Sequence, residues 1–535
     1  MLMCRSPWLL LSWLLLIAAP ITAAPTPAPN IIFVLTDDQR HDAMGVVNPL
    51  LQTPNMDRLA NEGVRFTNAF VTTSLCSPSR ATILTGLPMR EHGVVDNNSA
   101  LPRHLETFPA ALQSAGYETA FFGKWHMGGE DASPRPGFDH WVSFPGQGSY
   151  GPTTLFGTPS LLNVDGKEVP QQGYITDELT DYVMSWLEGP RDPDRPKLVY
   201  LSHKAVHAPF RPAGRHMDAY TDLRIADPTP SPAAMASEPL WVQMQRNSWH
   251  GVDFPYHSAL DLVSFRRDYL RTLSAVDDSL GRIMAWIDAQ DSERETIVVF
   301  TSDNGFLFGE HGLIDKRNAY ENSIRIPLII WSTQRIRGGR IEDRVVSTLD
   351  IAPTLRSLAG AILPQDAIGR DLTSLLLPDA VVDWPDQPLI YEYYWEFNYP
   401  QTPSMFAIRN DRYKLIRHHG VWDTDALYDL QADPGEMKNL IDDPALLAVR
   451  LQLAQALHEH LGRHGASHSI PYTYKYNQGA VFRNALIPDP PLVFPQRWRR
   501  KPDAEDRYEH FLPDSPNKTQ RLEMLNRVLD KTLNQ

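Results

Sequence analysis

The sequence predicts an α/β protein built on a large, mainly parallel sheet with helices on both faces, followed by a smaller C-terminal α+β domain with an antiparallel sheet. Continuous apolar runs of strand length recur along the first part of the chain, and amphipathic segments of helical period separate them. Near the C-terminus, short strand-like segments instead follow one another directly. Strands that alternate with helices favour parallel pairing, whereas consecutive strands favour antiparallel pairing.

Polar residues stand at the ends of the apolar runs. The first predicted strand covers residues 30–36 and ends in the pair Asp37-Asp38. The other runs, with the polar residues that follow them, are 118–122 before Lys124 and His126, 197–201 before Ser202-His203, and 296–301 before Asp303-Asn304. Ligands of open parallel sheets bind beyond the carboxyl ends of the strands. These residues are therefore predicted to meet at one site.

Helical patterns fill the intervals between the strands. The predicted helices cover residues 54–61, 108–115, 176–188 and 266–289. The last of them has a single apolar stripe, formed by Leu270, Leu273, Val276, Leu280, Ile283 and Ile287. In contrast, the segment from 209 to about 260 is Pro-rich with weak periodicity, so a long surface insertion is predicted there.

The predicted organisation is a signal peptide over 1–24, a catalytic domain over 25–383 that contains the insertion, and a C-terminal α+β domain with its tail over 384–535. In the C-terminal domain the predicted elements are strands at 389–395, 405–408 and 413–417, a turn at 409–411, a helix at 445–461 and a Pro-rich surface tail at 488–502.

The N-terminus has the features of a secretory signal. Arg5 precedes an apolar run over residues 8–19, and small residues precede Pro25. The run is too short for a spanning helix, although an uncleaved anchor is the alternative. We therefore expect an exported protein, periplasmic or extracellular, without stable membrane insertion after cleavage.

The formal net charge is -14, and clusters of Lys and Arg are sparse. A nucleic-acid partner is therefore not expected. A protein of this charge also repels an anionic substrate at long range, so cations at the site must reverse the local field.

Cysteine usage singles out one residue. The chain has two cysteines, Cys4 and Cys76, and Cys4 lies in the predicted signal peptide. The mature protein is expected to carry one thiol and no internal disulfide. With Ser77 as a cap and Gly86 as the end, Cys76 is predicted at a helix N-terminus, one turn before Arg80. The alternative is a buried cysteine that acts as a small hydrophobic residue.

The motif Cys76-x-Pro78-x-Arg80, followed by Thr85-Gly86, resembles the signature of the type I, formylglycine-dependent sulfatases of the alkaline phosphatase superfamily. Bacterial exported polysaccharide sulfatases are most similar, and the resemblance covers nearly the whole mature chain. It implies an alkaline phosphatase-like fold. It also implies that a formylglycine-generating or sulfatase-maturing enzyme converts Cys76 to formylglycine (3-oxoalanine), whose hydrate is the nucleophile.

Four residues at two strand ends suit a hard cation. Asp37, Asp38, Asp303 and Asn304 supply oxygen ligands only, which favours Ca²⁺ over Zn²⁺. A solvated turn is the alternative for the Asp pair. The resemblance implies these four residues, together with the formylglycine at position 76, as calcium ligands. Asn304 also differs from the His that is usual at this place in phosphodiesterases and phosphonate monoester hydrolases of the superfamily.

The resemblance further implies the catalytic residues. Lys124 and His126 match a second sulfatase motif, His207 resembles the leaving-group histidine, and Lys316 resembles the second sulfate-binding lysine. Arg80 orients the hydrate in this scheme. For each of these residues, the alternative is a solvated loop position.

Two other residues lack this support from the motifs. His203 lies either near the site or in an ordinary loop. Arg317 has the four-residue spacing to Glu321 that allows an ion pair on a helix.

The expected function is hydrolysis of a sulfate ester on a sulfated carbohydrate, with algal polysaccharides such as ulvan or carrageenan and glycosaminoglycans left open. The alternatives are a phosphodiester or phosphonate monoester hydrolase and a non-catalytic protein that binds sulfated glycans. Candidate specificity residues lie in the insertion and in the C-terminal domain: Trp241, Trp249, His250, Tyr393, Trp395 and His418.

Overall fold

A computed structural model describes residues 27–463, except 155–156, 226–227, 229, 245–260, 291, 337, 365–366, 379, 383, 397–398, 400 and 420–424, and also two short strands at 472–473 and 480–481. The predicted signal peptide and the Pro-rich tail at 488–502 lie outside the described residues. Within the described ranges, no helix has both the length and the apolar character needed to cross a bilayer.

The strands form one large sheet and smaller ones. In chain order they are β1 (Asn30–Thr36), β2 (Val64–Phe66), β3 (Ala69–Phe70), β4 (Glu118–Gly123), β5 (His140–Ser143), β6 (Leu161–Val164), β7 (Lys167–Pro170), β8 (Lys197–Ser202), β9 (Thr296–Ser302), β10 (Leu328–Ser332), β11 (Arg340–Glu342), β12 (Val346–Ser347), β13 (Leu389–Tyr393), β14 (Ser404–Arg409), β15 (Tyr413–His419) and β16 (Ala426–Asp429). The large sheet has ten strands in the order β11-β2-β10-β9-β1-β8-β4-β5-β6-β7.

The helices cover the sheet. They are α1 (Pro54–Glu62), α2 (Cys76–Thr85), α3 (Met89–His92), α4 (Phe108–Ser114), α5 (Ile175–Glu188), α6 (Pro232–Met235), α7 (Leu240–Met244), α8 (Leu262–Asp288), α9 (Glu321–Ile324), α10 (Ile351–Leu358), α11 (Thr373–Leu376) and α12 (Leu447–Arg463). The strands predicted at 30–36, 118–122, 197–201 and 296–301 and the helices predicted between them are confirmed to within a few residues. Boundary differences of this size are expected when helix and strand ends fray.

The centre of the large sheet is parallel. Strands β9, β1, β8, β4 and β5 all pair in parallel, whereas β10 runs antiparallel between β9 and β2. Along β1, Ile31 and Phe33 enter the core on one face and Ile32 and Val34 enter the core on the other, so both faces are covered. Helices α2, α4 and α10 pack on the first face, and α1, α5 and α8 pack on the second.

The C-terminal strands form a four-stranded antiparallel sheet in the order β13-β14-β15-β16. One face of this sheet joins the main core through Met405 and Ala407. On the other face, Phe406 and Ile408 pack with α12 around Leu457. The predicted fold class is therefore confirmed, including the change from parallel to antiparallel pairing near the C-terminus.

Candidate active site

The site begins where β1 and β9 end. These strands pair in parallel with Thr36 opposite Ser302, so the residues that follow them leave the sheet side by side. The main-chain N–H of Asp38 donates to Asp303 Oδ1 at 3.1 Å, and Asn304 Nδ2 donates to Asp38 Oδ1 at 2.6 Å. Asp38 has a φ of 62°, a left-handed conformation that is uncommon outside glycine and is often found at functional sites.

The acidic groups share one small volume. Carboxylate oxygens of Asp37, Asp38 and Asp303 all lie within 4.8 Å of one another, and the three residues are at most 1 % exposed. Asn304 Oδ1 is buried and has no hydrogen-bond partner among the residues that the structure describes. An unpaired buried acceptor is costly unless a ligand satisfies it. This oxygen and the three carboxylates therefore fit a hard cation.

Helix α2 brings Cys76 to the acidic cluster. Cys76 is the first residue of the helix, and its Sγ lies 3.7 Å from Asp37 Oδ1. Gly86 ends the helix with a φ of 72°, as predicted. The predicted cap at Ser77 is wrong, because the N-cap is Leu75, two residues earlier, and the Ser77 hydroxyl instead donates to the main-chain O of His126.

Arg80 ties the helix to the strand ends. Its Nε and Nη2 lie 2.9 and 2.8 Å from Asp303 Oδ2, and its Nη1 donates to the main-chain O of Lys124 at 2.8 Å and to Ser202 Oγ at 2.7 Å. The guanidinium thus contacts three strand ends from one buried position. This rigid fork suits Arg better than Lys.

Two lysines face the acidic groups. Lys124 Nζ contacts Asp37 Oδ2, and Lys316 Nζ contacts Asp38 Oδ1 and lies 2.9 Å from Cys76 Sγ. Burial raises the pKa of the Cys76 thiol to about 11, even though both lysines lower it. The unmodified thiol therefore stays protonated at neutral pH and is a poor nucleophile.

The two histidines have defined tautomers. His207 Nδ1 lies 2.6 Å from the main-chain O of Ala208, which can only accept a proton, so Nδ1 carries the hydrogen and Nε2 faces Asp38 Oδ2 at 4.0 Å. His126 Nδ1 lies 3.2 Å from the Ser77 hydroxyl. That hydroxyl donates its own proton to the main-chain O of His126, so it can only accept from Nδ1, and Nδ1 therefore carries the hydrogen. Burial and the Lys124 charge lower the pKa of both histidines well below the ordinary value.

The pKa values of Asp37 and Asp38 are shifted in opposite directions. Burial raises the pKa of Asp37, but the Lys124 ammonium and the Arg80 guanidinium outweigh it, so that pKa lies well below its ordinary value. Burial raises the pKa of Asp38 to about 7, and Lys316 only partly opposes it. Neighbouring carboxyl groups with such different pKa values are typical of functional sites.

The comparisons with known proteins agree with this geometry. A family model described as Sulfatase matches residues 29–361, which is more than half of the chain. The chain belongs to the sulfatase family. A second model, described as the C-terminal part of N-sulphoglucosamine sulphohydrolase, matches residues 309–462 of the sulfatase.

Two curated sulfatases are similar over most of the chain. The N-acetylglucosamine-6-O-sulfatase of Bacteroides thetaiotaomicron is 34% identical over 494 residues, which are 81% of this chain and 86% of the relative. Arylsulfatase A of Homo sapiens is 31% identical over 474 residues, 80% of this chain and 86% of the relative. A structure solved in complex with its substrate D-glucosamine-2-N,6-O-disulfate has a TM-score of 0.71 and 31% identity, and covers 82% of this chain and 98% of that chain. As a sulfatase, the protein is a sulfuric ester hydrolase.

The structure of the sulfatase brings the residues predicted from the motifs into one buried cluster: Asp37, Asp38, Cys76, Arg80, Lys124, His126, His207, Asp303, Asn304 and Lys316. His203 is not part of it. That side chain is fully buried, and its Nε2 lies 3.3 Å from Ser279 Oγ on α8.

The suggested ion pair between Arg317 and Glu321 is wrong. The segment before α9 is not helical, so the four-residue spacing does not bring the two side chains together. Arg317 instead contacts Glu396 at 2.6 Å and Asp315 at 3.1 Å, and Glu321 contacts Arg409 at 2.9 Å.

Several supporting residues were missed in the sequence. Ser202 holds Arg80, and Tyr150 donates its hydroxyl to the main-chain O of His207 at 2.7 Å. Lys414 of β15 binds the main-chain O of Ala319 from the C-terminal sheet. Only Ser202 had a signal in the sequence, since it ends an apolar strand.

The candidate specificity residues differ in their exposure. Tyr393 is fully buried and its hydroxyl donates to Glu396, so the prediction that it contacts substrate is wrong. Trp241 is 8 % exposed, and its ring centroid lies 5.7 Å from that of His418. Trp395 is partly exposed. Trp249 and His250 lie outside the described residues.

Proposed function

We propose that this sulfatase is an exported, calcium-dependent enzyme that uses a formylglycine made from Cys76 to hydrolyse a sulfate ester of a saccharide. The observation that carries the proposal is the buried cluster around Cys76. Three carboxylates and an unpaired amide oxygen surround this residue together with three cationic side chains, those of Arg80, Lys124 and Lys316.

Calcium fits the donor set. Asp37, Asp38, Asp303 and Asn304 would hold the ion with oxygen atoms, and the oxygen of a modified residue 76 would face it. When bound, the ion supplies a positive charge that polarises the sulfate and favours the deprotonated nucleophile. Asp37 also lies near Cys76 and His207 in a mixed sulfur, nitrogen and oxygen group. That group is less suited to a metal, because burial raises the pKa of the thiol to about 11 and conversion removes the sulfur.

Conversion of Cys76 explains why a buried thiol stands at the centre of the cluster. A maturation enzyme with its own oxidant would remove two electrons from Cβ, release the sulfur and leave an aldehyde oxygen in its place. The hydrated aldehyde supplies one hydroxyl to attack sulfur and a second to expel the sulfate after the alcohol has left. The positive end of α2 favours an anionic oxygen at position 76.

The other side chains of the cluster have separate roles in the proposed mechanism. Lys124 and Lys316 neutralise charge on the sulfate oxygens, and Asp303 accepts a proton from the nucleophile. Arg80 holds Asp303 and the start of α2 in place. The nitrogen of His126 that carries no proton, Nε2, is available as the base for the second half of turnover.

His207 donates a proton to the leaving alcohol in this proposal, and Nε2 is the atom that carries it. Burial and Lys124 lower the pKa of His207 well below its ordinary value, so the imidazole is neutral before substrate arrives. A sulfate bound beside the ring opposes that shift, because a nearby anion favours the protonated form. A sugar alkoxide is a poor leaving group, so this proton matters for sugar substrates.

The proposed substrate class is a 6-sulfated glucosamine unit of a glycosaminoglycan. The support is the 34% identity to an N-acetylglucosamine-6-O-sulfatase and the similarity to a structure bound to D-glucosamine-2-N,6-O-disulfate. An ulvan-active sulfatase of Formosa agariphila is 28% identical, so algal polysaccharides remain a second candidate class. Export by cleavage of the predicted signal peptide over 1–24 and the domain boundaries at 25–383 and 384–535 belong to the same proposal.

The decisive experiment concerns Cys76. Protein made together with a maturation enzyme should show an aldehyde at position 76 by mass spectrometry and should react with hydrazide probes. Cys76→Ser should lose turnover, because a serine sulfate has no second hydroxyl with which to expel its sulfate. Full activity in a sample whose residue 76 is quantitatively an unmodified thiol would refute the mechanism.

A further inference from the structure

A cavity of about 410 Å³ lies next to the segment that carries His207, with Lys204 and Pro209 of that segment in its lining. Its lining includes Tyr150, Gln147 and Lys204, together with the exposed side chains of Arg211 and Glu130. Tyr150 connects the cavity to the catalytic residues, because its hydroxyl donates to the main-chain O of His207 at 2.7 Å. The charges of Lys124, Asp37 and Asp38 also act on Lys204, so this wall of the cavity lies near the catalytic groups.

Lys204 is the unusual residue of the cavity. It is 3 % exposed, and its Nζ donates to the main-chain O of Gln147 at 3.1 Å and lies 4.9 Å from the centroid of the Tyr150 ring. Lys204 forms no ion pair among the described residues, and Asp37 and Asp38 act on it only through longer-range attraction. Burial lowers the pKa of Lys204 to about 7. A buried ammonium without an anionic partner is costly, so an anion that enters the cavity would stabilise the charged form of Lys204.

A second unsatisfied group lies in the same wall. Gln147 Oε1 is buried and has no hydrogen-bond partner within the part of the chain that the structure describes. An ammonium with N–H groups beyond the one bound to Gln147 O and an unpaired acceptor beside an open cavity form a built polar site. The acceptor suits a sugar hydroxyl or an N–H group, and the ammonium suits an anion.

We propose that this cavity binds a second anionic group of the saccharide, a sulfate or a carboxylate, with Lys204 as its cation. The inference rests on the proposed function, because it assumes that the sulfate to be hydrolysed lies at residue 76. Cations here also counter the long-range repulsion that a protein of net charge -14 exerts on a polyanion. The site thus selects saccharides that carry more than one negative charge.

The test compares three substrates: N-acetylglucosamine 6-sulfate with one anion, D-glucosamine-2-N,6-O-disulfate with a second sulfate, and a 6-sulfated disaccharide with a uronate carboxylate. Lys204→Met should lower the ratio of kcat/KM between a dianionic and the monoanionic substrate by about tenfold or more. The dianionic substrate that shows the effect identifies the group bound. Lys204→Arg should retain the preference.

Two further variants test whether the effect is specific to the charge in the cavity. Gln147→Glu puts a carboxylate in the cavity beside Lys204, so it should also remove the preference even if Lys204→Met folds poorly. Lys167→Met, at an exposed position of β7, removes the same charge outside the cavity and should leave the ratio unchanged. Melting temperatures of all variants report whether they are folded.

The outcomes separate the two proposals. Equal losses on mono- and dianionic substrates in Lys204→Met and Gln147→Glu overturn the anion subsite and leave the sulfatase mechanism standing. Release of sulfate from none of the three substrates by the wild-type protein overturns the proposed substrate class and, with it, this inference.

Discussion

Replacing Lys414 with Met should destabilise the protein more than any surface charge change. Lys414 has a fully buried side chain, and its Nζ lies 2.8 Å from Glu321 Oε1, 2.7 Å from Glu436 Oε1 and 2.8 Å from the main-chain O of Ala319. It connects the C-terminal sheet to the segment that follows Lys316. The variant removes the ammonium and leaves both carboxylates buried.

The size of the effect follows from what each carboxylate retains. Glu321 keeps Arg409 at 2.9 Å, whereas Glu436 keeps no cation within ion-pair distance among the described residues. Removing one partner of a buried ion pair costs about 3–5 kcal/mol. The free energy of unfolding should therefore fall by about that amount. Adding Glu436→Gln should recover about 1–3 kcal/mol, since the orphaned charge is gone.

Urea unfolding followed by tryptophan fluorescence measures the change. Arg412→Met is the matched control, because Arg412 lies in the turn before β15 and contacts Asp429 at 2.9 Å with its side chain 53% exposed. An exposed pair contributes at most about 1 kcal/mol. If the free energies of unfolding of Lys414→Met and Arg412→Met differ by less than about 1 kcal/mol, the buried network does not stabilise the fold as argued.

Three other predictions follow from the site and its surroundings. Exhaustive chelation should abolish sulfate release and added Ca²⁺ should restore it; full activity after chelation would contradict the calcium assignment. His207→Ala should lower kcat/KM on a sugar sulfate by about 100-fold or more but affect an aryl sulfate less, since aryl leaving groups need little protonation; equal losses would remove His207 from the acid role. His92 accepts from the main-chain N–H of Val94 at 3.0 Å, and burial lowers its pKa to about 3. Its folded-state pKa lies below the unfolded value, so its stability contribution is complete above about pH 6.5 and is lost at up to about 1.4 kcal/mol per unit as the pH falls toward 3. His92→Gln should remove the His92 contribution to the pH dependence of the free energy of unfolding, measured in urea between pH 7 and 5. An unchanged pH dependence would show that His92 is not held neutral.

The sequence by itself determined the layout of the catalytic side of the fold. Apolar runs and helical periodicity are local patterns that can be recognised within a short stretch of sequence. Strands β1 and β9 and helix α8 could therefore be located without any tertiary information. Since parallel strands present their carboxyl ends at one edge, the polar residues after those strands could also be assigned to a common site. The motif around Cys76 carried the resemblance to the sulfatases, and the expected chemistry came from that resemblance.

Only the tertiary structure decided which side chains meet across long stretches of chain. Ser77 binds His126 instead of capping α2, and Arg317 binds Glu396 instead of Glu321. Such partners are far apart in sequence and are chosen by the packing of whole elements, which no local pattern encodes. The cavity around Lys204 depends on the same packing. Among the described residues Lys204 has no ion-pair partner, although Glu130 lines the same cavity, and a sequence pattern cannot show whether two such groups meet.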